Sequence, residues 1–425
     1  MRYVSTRDPG HSATLSEAIT RGLAPDGGLY VPDAFPRVDA DSLGDGTSLP
    51  EVAARVLAPF FAGDALAAHL GDICREAFDF PAPLRMLRSR TAVLELFHGP
   101  TAAFKDFGAR FLAGCLSRIP SADNRPLTVL VATSGDTGGA VAAAFHGRPG
   151  VEVVVLYPKG MVSARQEKQL TCWGGNVRAL AVRGDFDACQ RLAKEAFADG
   201  EMSAERRLTS ANSINVARLL AQMSYYAAGS LQYRHHVGVA PGFIVPTGNV
   251  GNATAGLWAR RAGLPVREVV MVTNANRALA AFAAGEDWRA GTPTVATLAT
   301  AMDVGRPSNL ERVVHLAGGD DAARATLRTF TVLDDEIRDE IRRGESAWGE
   351  TWDPHTATAA AVRARVPGED WILLATAHPA KFETVVEPLV GHPVPVPPEL
   401  EALLEKPSHA TEIDPSLSAL RDALG

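Results

Sequence analysis

The length of 425 residues exceeds what one hydrophobic core normally serves, so two or three domains are expected. Hydrophobic residues make up 46% of the chain and charged residues 21%, which is typical of a globular protein and argues against a disordered or fibrous one. The formal net charge of -7 argues against a general nucleic-acid or anionic-membrane surface, because such surfaces need clustered cations.

Residues 1–80 are predicted to form a mainly helical N-terminal domain. The segments 51–58 and 65–78 have the apolar spacing of amphipathic helices, and no long run of strand-forming residues precedes residue 81. The pattern changes after Pro81 and Pro83, so this region is expected to be separate from the rest of the chain.

From residue 81 onward, short β-branched runs alternate with alanine-rich helical stretches. This alternation predicts an α/β fold with parallel sheets and crossover helices. The clearest strands are predicted at 127–132, 151–157, 177–182, 243–245, 269–273 and 371–375. Because ligands of open α/β sheets bind at the carboxyl ends of the strands, the chemistry of the chain is expected there.

Three polar or glycine-rich segments come directly after predicted strands, at 133–139, 248–252 and 376–382. The first two open alanine-rich helices, whose unpaired N-terminal N–H groups suit an anion such as phosphate. Taken singly, each segment is also consistent with an ordinary helix cap or tight turn. None matches GxGxxG or GxxxxGK[ST], so NAD and ATP are disfavoured.

Lys105 lies in the segment 98–108, HGPTAAFKDFG, between Phe104 and Phe107. A lysine amine forms a Schiff base with an aldehyde cofactor when part of it is unprotonated, and burial beside aromatic rings lowers its pKa toward that state. Such a lysine, together with a phosphate-binding loop at 248–252, indicates pyridoxal phosphate (PLP). The alternative is a solvated or snorkelling side chain at the start of a helix.

The cysteines and the hydropathy predict a cytoplasmic protein. The four cysteines form no CxxC pair and have no histidine partners at zinc spacing, so no metal site is predicted. The N-terminus lacks an apolar signal core, and no apolar run reaches the ~18 residues of a membrane span. We therefore expect no nucleic-acid or membrane partner, and the residues carry no signal for an oligomeric state.

The chain resembles the threonine synthase family of fold-type II PLP enzymes, in its longer bacterial and fungal form. The resemblance covers nearly the whole chain and rests on blocks in the same order at 3–7, 22–32, 95–107, 132–138, 166–169, 212–218, 301–304 and 376–382. Several blocks in the right order are far more specific than any single motif.

The resemblance implies a fold, a domain division and a reaction. The fold is two parallel-sheet α/β domains of the tryptophan synthase β type, with a mainly helical N-terminal domain at 1–80. A large PLP-binding domain is expected at 81–125 and 233–425, and a small substrate-side domain, which closes over the site, at 126–232. The reaction is the PLP-dependent conversion of O-phospho-L-homoserine and water to L-threonine and phosphate, catalysed by a carbon–oxygen lyase.

The resemblance also implies roles for particular residues. Lys105 is the Schiff-base lysine and later moves protons at the substrate carbons, and Thr376 is the hydroxyl partner of the pyridine nitrogen. The cofactor phosphate is expected at the loop formed by Gly248, Asn249, Val250, Gly251 and Asn252. The substrate is expected at Thr133, Ser134, Gly135, Asp136, Thr137, Asn212, Ser213, Asn215 and Arg218. Arg165 and Lys168 are weaker candidates for the substrate phosphate.

Asp136 departs from the broader fold-type II pattern, in which many relatives carry an asparagine that donates a hydrogen bond to the 3'-oxygen of the cofactor. An ionised aspartate only accepts. Asp136 is therefore expected to bind elsewhere or to act as a helix N-cap, and the longer threonine synthases share this aspartate.

Two alternatives stay open from the sequence. One is another PLP lyase of the same fold, such as threonine dehydratase or cysteine synthase, which the N-terminal domain and the blocks at 98–101 and 377–382 disfavour. The other is an inactive relative that binds a phosphorylated ligand, because a fold does not guarantee an activity. The presence of Lys105 argues against the second.

Overall fold

The structure, a computed structural model, describes residues 1–43, 47–120 and 125–425, except for the side chains of residues 203 and 204. The strands are β1 Tyr3–Ser5, β2 Ser12–Ala13, β3 Tyr30–Pro32, β4 Leu84–Met86, β5 Thr91–Glu95, β6 Leu127–Ala132, β7 Val151–Pro158, β8 Val177–Val182, β9 Arg207–Ser210, β10 Gly242–Pro246, β11 Val269–Thr273, β12 Arg328–Thr331, β13 Trp371–Ala375 and β14 Thr411–Ile413. Residues 44–46 and 121–124, within the predicted domains 1–80 and 81–125, lie outside the described residues.

Helices cover most of the remaining length. They are α1 Leu15–Arg21, α2 Leu49–Leu57, α3 Leu70–Ala77, α4 Lys105–Leu116, α5 Asp136–Phe145, α6 Ala164–Thr171, α7 Phe186–Ala198, α8 Gly200–Glu205, α9 Val216–Val237, α10 Gly251–Arg261, α11 Ala278–Ala283, α12 Leu310–Ala317, α13 Asp320–Thr326, α14 Asp334–Trp348, α15 Pro354–Arg363, α16 Glu383–Val390, α17 Pro398–Leu404 and α18 Leu417–Leu424. Short 3-10 turns are Ala40–Ser42, Ala58–Phe61, Ala65–His69, Thr300–Met302 and Pro379–Phe382. In the described part of the chain, no helix has the length and apolar character of a membrane span.

The N-terminal region combines helices with a small antiparallel sheet of order β2-β1-β3. The amphipathic helices predicted at 51–58 and 65–78 correspond to α2 and to a 3-10 turn leading into α3. The sheet was not predicted, because its strands have only two or three residues and show no alternation over such a length.

A six-stranded sheet of order β12-β11-β10-β13-β5-β4 forms the larger α/β unit. Its neighbouring strands are parallel except for the edge pair β4–β5. Every residue of β10, β11 and β13 is buried, as expected for strands covered on both faces. The parallel α/β fold predicted from the sequence is confirmed here.

A five-stranded parallel sheet of order β14-β8-β7-β6-β9 forms the smaller unit. Two features differ from the sequence-based boundaries. The C-terminal strand β14 pairs with β8 in this sheet, although the sequence places 233–425 in the large domain. The boundary expected after residue 232 falls inside α9, a 22-residue helix that packs against α2, α4 and α10. A helix that serves several units leaves no composition change at which sequence reasoning can divide them.

Candidate active site

Lys105 is the first residue of α4, and its amine contacts the first turn of α5, which follows the loop after β6. Its Nζ donates to Oγ1 of Thr137 at 3.0 Å and lies 5.1 Å from the centre of the Phe104 ring. Phe107 points elsewhere: it is completely buried and packs edge-on against Phe80, with ring centres 4.8 Å apart. One of the two aromatic rings predicted beside the amine therefore lies near it, and the other belongs to the core.

The surroundings lower the pKa of the Lys105 amine to about 8, although part of the side chain remains accessible. Burial is the largest cause. The positive charges of Arg218 and Lys381 act in the same direction, and Asp136 opposes them. With this pKa, roughly one tenth of the amine is neutral at pH 7, against less than one thousandth for an ordinary lysine. Lys105 thus supplies the free amine that condensation with an aldehyde requires.

The loop between β6 and α5 is held by its own threonine. The Thr133 hydroxyl accepts hydrogen bonds from the backbone N–H groups of Gly135 at 3.0 Å and Gly138 at 2.9 Å. Gly135 has φ of +134°, a conformation that favours glycine. Ser134 and Thr137 remain partly accessible. Thr133 therefore supports the loop, and the side chains left to meet a ligand are those of Ser134 and Thr137.

Asp136 forms an ion pair with Lys381, with Nζ and Oδ1 2.8 Å apart. Gln166 also donates to the same carboxylate oxygen at 3.2 Å. Burial alone would raise the pKa of the Asp136 carboxyl, but the Lys381 charge prevails and lowers that pKa to about 2. Asp136 lies at the first position of α5 and does not cap it from outside. Of the two expectations for this residue, binding elsewhere agrees with the structure and the N-cap does not.

The 248–252 loop is held by side chains from two other segments. Asn249 donates from Nδ2 to Oγ of Ser213 at 2.7 Å and accepts at Oδ1 from the Ser308 N–H at 2.6 Å. Asn309 donates from Nδ2 to the Asn249 carbonyl and to the Ser213 hydroxyl, both at 3.1 Å. The side chains of Asn249 and Ser213 thus fix the loop to its neighbours.

The backbone of this loop has the features of an anion cradle. Val250 has φ of +63°, which a β-branched residue rarely adopts, and α10 begins at the next residue. The first N–H groups of α10, including those of Gly251 and Asn252, have no partner within the helix. A Cβ on Gly248 would lie 2.7 Å from Cα of Met302, so only glycine fits there. Free amides at a helix start with a tight turn suit a phosphate.

The Asn252 side chain has one oxygen that accepts two hydrogen bonds and one nitrogen that has no partner among the described residues. Its Oδ1 accepts from the hydroxyls of Tyr225 at 2.6 Å and Tyr226 at 2.9 Å. Its Nδ2 is buried and has no hydrogen-bond partner in the described part of the chain. Burying a donor without a partner costs free energy, so this amide fits a bound acceptor. The donors of the loop and the neutral fraction of the Lys105 amine together fit PLP.

Thr376 comes directly after β13 and connects that strand end with the residue before Lys105. Its carbonyl accepts from the Phe104 N–H at 2.9 Å, and its N–H donates to the Thr356 hydroxyl at 3.2 Å. Thr376 is 5% exposed. The next turn is capped by His378, whose Nδ1 accepts from the Ala380 N–H. The cap of the turn in the segment 376–382 is therefore provided by His378 and not by Thr376.

In the segment 212–218, some side chains support the fold and others have buried polar atoms without a partner among the described residues. Asn215 caps α9 through its Oδ1 and donates from Nδ2 to the Ile19 carbonyl at 2.8 Å, so it supports the fold. Arg218 is buried, and its Nη1 donates to the Ala211 carbonyl. The Nε of Arg218 and the Oδ1 of Asn212 are buried without a partner among the described residues. These two side chains have polar atoms available for a ligand.

Arg165 and Lys168 are directed to other partners. The Arg165 guanidinium donates to the Ala380 carbonyl and lies 3.8 Å from Glu383. Lys168 donates to the Ser408 hydroxyl at 3.2 Å and is exposed at its amine. No contact between either cation and Lys105 is found in the described part of the chain, and their binding of the substrate phosphate stays a prediction.

Sequence reasoning missed three buried residues that organise the site: Asn309, Arg312 and Lys381. Lys381 lies in the block 376–382, but no role was predicted for it. Asn309 immediately precedes α12, and Arg312 lies in α12. Their partners are distant in the sequence, so no local spacing identifies them. A lysine inside one of the blocks that carry the resemblance was the only available signal, and it applied to Lys381 alone.

The comparison with family models defines the class of protein. Residues 86–376 match the model described as a pyridoxal-phosphate dependent enzyme. This range contains Lys105, the 248–252 loop and Thr376, and the two parallel sheets agree with fold type II. The chain is thus a PLP-dependent enzyme of that fold. Two further models, the threonine synthase N terminus and the threonine synthase C-terminal region, match residues 2–78 and 356–424.

Whole-chain relatives identify the family. Threonine synthase from Escherichia coli is 40% identical over 99% of this chain and 98% of its own length, and that from Saccharomyces cerevisiae is 32% identical over 90% and 88%. The solved structure of the Escherichia coli threonine synthase aligns with a TM-score of 0.90 over 100% of this chain and 99% of its own, at 38% identity. PLP-bound threonine synthase from Brucella melitensis aligns with a TM-score of 0.91, at 35% identity over 99% and 98%. The chain belongs to the threonine synthase family, and its activity is PLP-dependent threonine synthesis, a lyase reaction.

Proposed function

We propose that the chain converts O-phospho-L-homoserine and water to L-threonine and phosphate, with Lys105 as the residue that carries the cofactor. The observation that carries this assignment is the Lys105 amine, whose pKa is lowered to about 8 and which contacts Thr137 at 3.0 Å. Membership of the threonine synthase family supports the reaction.

Besides Lys105, two places of this chain would hold PLP. The backbone N–H groups at the start of α10, with the buried Nδ2 of Asn252, are proposed to bind its phosphate. The hydroxyl of Thr376 is proposed to partner its pyridine nitrogen. When bound, the cofactor supplies the electron sink that stabilises negative charge at the α- and β-carbons of the substrate.

Lys105 has a second proposed task, the movement of protons. The reaction removes a γ-phosphate and places hydroxyl on the β-carbon, so protons move at Cα, Cβ and Cγ. An amine with a pKa of about 8 both accepts and returns a proton near neutral pH, as a general acid–base group requires. Its hydrogen bond to Thr137 directs Nζ toward the loop where the substrate is proposed to bind.

The anionic groups of the substrate are assigned to side chains with free polar atoms. These are the hydroxyls of Ser134 and Thr137 and the guanidinium of Arg218, the last being a buried cation with an unpaired Nε. The unpaired Oδ1 of Asn212 only accepts, so it is assigned to an N–H or O–H group of the substrate. Arg165 is left out because its guanidinium contacts the Ala380 carbonyl and lies between two glutamates. A cation in a buried site binds phosphate or carboxylate far more strongly than one in water.

The test is a product assay on the full-length protein reconstituted with PLP. Given O-phospho-L-homoserine, it is expected to release phosphate and form threonine in equal amounts. Lys105→Ala should abolish both while the melting temperature stays within a few degrees. Lys159→Ala removes an exposed lysine paired with Glu412 and serves as the matched control, with full activity expected. Phosphate release without threonine, or an active Lys105→Ala variant, would contradict the proposal.

A further inference from the structure

A completely buried ion pair joins the two α/β units beside Lys105. Lys381 lies shortly after β13 of the six-stranded sheet, and Asp136 starts α5 after β6 of the five-stranded sheet. Lys381 is 0% exposed and its Nζ lies 2.8 Å from Oδ1 of Asp136. The same Nζ donates to the Thr101 carbonyl at 2.8 Å. The Lys381 amine thus holds one segment from each unit.

Each partner of the pair is held in place by further hydrogen bonds. On the Asp136 side, Gln166 donates to the carboxylate at 3.2 Å. On the other side, the Thr101 carbonyl also accepts from Nε2 of Gln169 at 2.9 Å. Asp106, the residue after Lys105, accepts from the N–H and the hydroxyl of Thr101 at 2.8 and 2.7 Å. The network therefore runs from the start of α5, whose Thr137 contacts the Lys105 amine, to Asp106, the residue after Lys105.

Both members of the pair also act electrostatically on the Lys105 amine. The positive charges of Lys381 and Arg218 disfavour the protonated amine, and the negative charge of Asp136 favours it. Asp106 is a further carboxyl in the network, and its contacts go to Thr101. Lys381 and Asp136 therefore oppose each other, and removing either one alone leaves an unbalanced buried charge close to the amine.

We propose that the Lys381–Asp136 ion pair is a positioning device that seats the 133–137 loop against Lys105 and balances the charge beside the Lys105 amine. The inference rests on the proposed role of Lys105 and extends it to two residues that need not touch the reacting atoms. It also assigns a role to the carboxylate of Asp136, because only a charged partner neutralises the buried lysine.

The test measures the rate of PLP incorporation into the PLP-free full-length protein as a function of pH. The midpoint of that profile reports the neutral fraction of the Lys105 amine. Lys381→Met leaves Asp136 unpaired and should move the midpoint up by about one pH unit, whereas Asp136→Asn leaves Lys381 unpaired and should move it down by a similar amount. The double variant should return the midpoint toward that of the unmodified protein.

The controls separate charge balance from loss of structure. Lys159→Met breaks an exposed pair with Glu412 and should leave the midpoint unchanged. If Lys381→Met fails to fold, Lys381→Arg, which keeps the charge, is compared with Asp136→Asn, and only the latter should shift the midpoint. Single variants that lose thermal stability without opposite shifts would overturn the proposal and leave the ion pair a fold element.

Failure of this inference is distinguishable from failure of the proposed function. Threonine formation with unshifted midpoints would overturn the role of the ion pair alone. PLP labelling at a lysine other than Lys105 would overturn the proposed function, and the midpoint would then report a different amine.

Discussion

Arg312 donates from Nη1 to Oδ1 of Asn309 at 2.6 Å, and both side chains are completely buried. Asn309 in turn donates from Nδ2 to the Asn249 carbonyl in the loop before α10. The remaining hydrogen bonds of the Arg312 guanidinium go to the carbonyls of Tyr30, Ser213 and Ile214. One buried cation thus connects the N-terminal sheet, the segment 212–218 and the proposed phosphate loop.

Arg312→Lys is expected to weaken both the fold and the binding of PLP. A lysine amine keeps the charge but does not span four acceptors with the geometry of a guanidinium, so buried carbonyls lose partners at about 1–3 kcal/mol each. Urea unfolding and PLP titration measure the two effects. Arg7→Lys is the control, since Arg7 is half exposed in its pair with Glu311 and should cost less than about 1 kcal/mol. Equal losses in the two variants would argue against the assignment to Arg312.

Gly251→Val is expected to weaken PLP binding by about tenfold or more, with a smaller effect on thermal stability. The positive φ of this loop belongs to Val250, so the effect of a side chain at Gly251 comes from its contacts. A Cβ on Gly251 would lie 3.1 Å from Cβ of Ser213 and 3.3 Å from Nδ2 of Asn309, the side chains that hold the loop. A tenfold change corresponds to about 1.4 kcal/mol.

The control for this glycine is Gly71→Ala in α3, where an added Cβ meets nothing within 4 Å. That change should leave PLP affinity unaltered and stabilise the helix by up to about 1 kcal/mol. PLP titration and thermal melts of both variants measure the two effects. Unchanged PLP affinity in Gly251→Val would make the 248–252 loop an ordinary turn.

The strands that sequence reasoning found are mostly buried ones. Predictions at 127–132, 177–182, 269–273 and 371–375 match the structure residue for residue, because parallel strands with few exposed residues form largely apolar runs. The short buried strand β5 was not predicted. The strand β9, RLTS, and the edge strand β12, RTFT, were missed, since their polar residues resemble loop sequence. Strand β14 was missed for the same reason, and with it the return of the C-terminus to the smaller sheet.

The sequence indicates which segments form the candidate site, but it does not indicate what each side chain in them contacts. Lys105, the loop at 133–137 and the loop at 248–252 were all singled out from local motifs, and their roles in binding stay predictions. The contacts of Asn215 and Asp136 were not foreseen, because their partners Ile19 and Lys381 lie 196 and 245 residues away in the sequence. Which polar atoms are free for a ligand is decided by such distant contacts, and only the folded chain shows them.

Borohydride reduction of the PLP-loaded protein is expected to label Lys105, with a yield that rises with pH through about 8. Above its pKa the amine becomes neutral and condenses with the aldehyde, so the rate of cofactor incorporation should increase from pH 6 to 8 and level off above about pH 9. Peptide mapping identifies the labelled residue. Exposed Lys159, whose amine is paired with Glu412, should take up little label. A profile that still rises steeply at pH 10 would contradict the lowered pKa.

Thr376→Asp is expected to bind PLP but to lose most threonine formation, with a larger share of transamination. A neutral hydroxyl beside the pyridine nitrogen leaves that nitrogen largely unprotonated, whereas a carboxylate favours its protonation by charge pairing. The burial of Thr376, at 5% exposure, strengthens such a charge effect.

Thr376→Ser is the matched control, because it keeps the hydroxyl and the backbone bonds to Phe104 and Thr356. It should retain most of the activity and lose about 1 kcal/mol or less of stability from the missing methyl group. Product ratios and melting temperatures of both variants are compared at the same pH. Since His378 caps the next turn, a stability loss does not explain a selective change in products. Normal threonine yield from Thr376→Asp, or equal damage from Thr376→Ser, would remove Thr376 from the cofactor site.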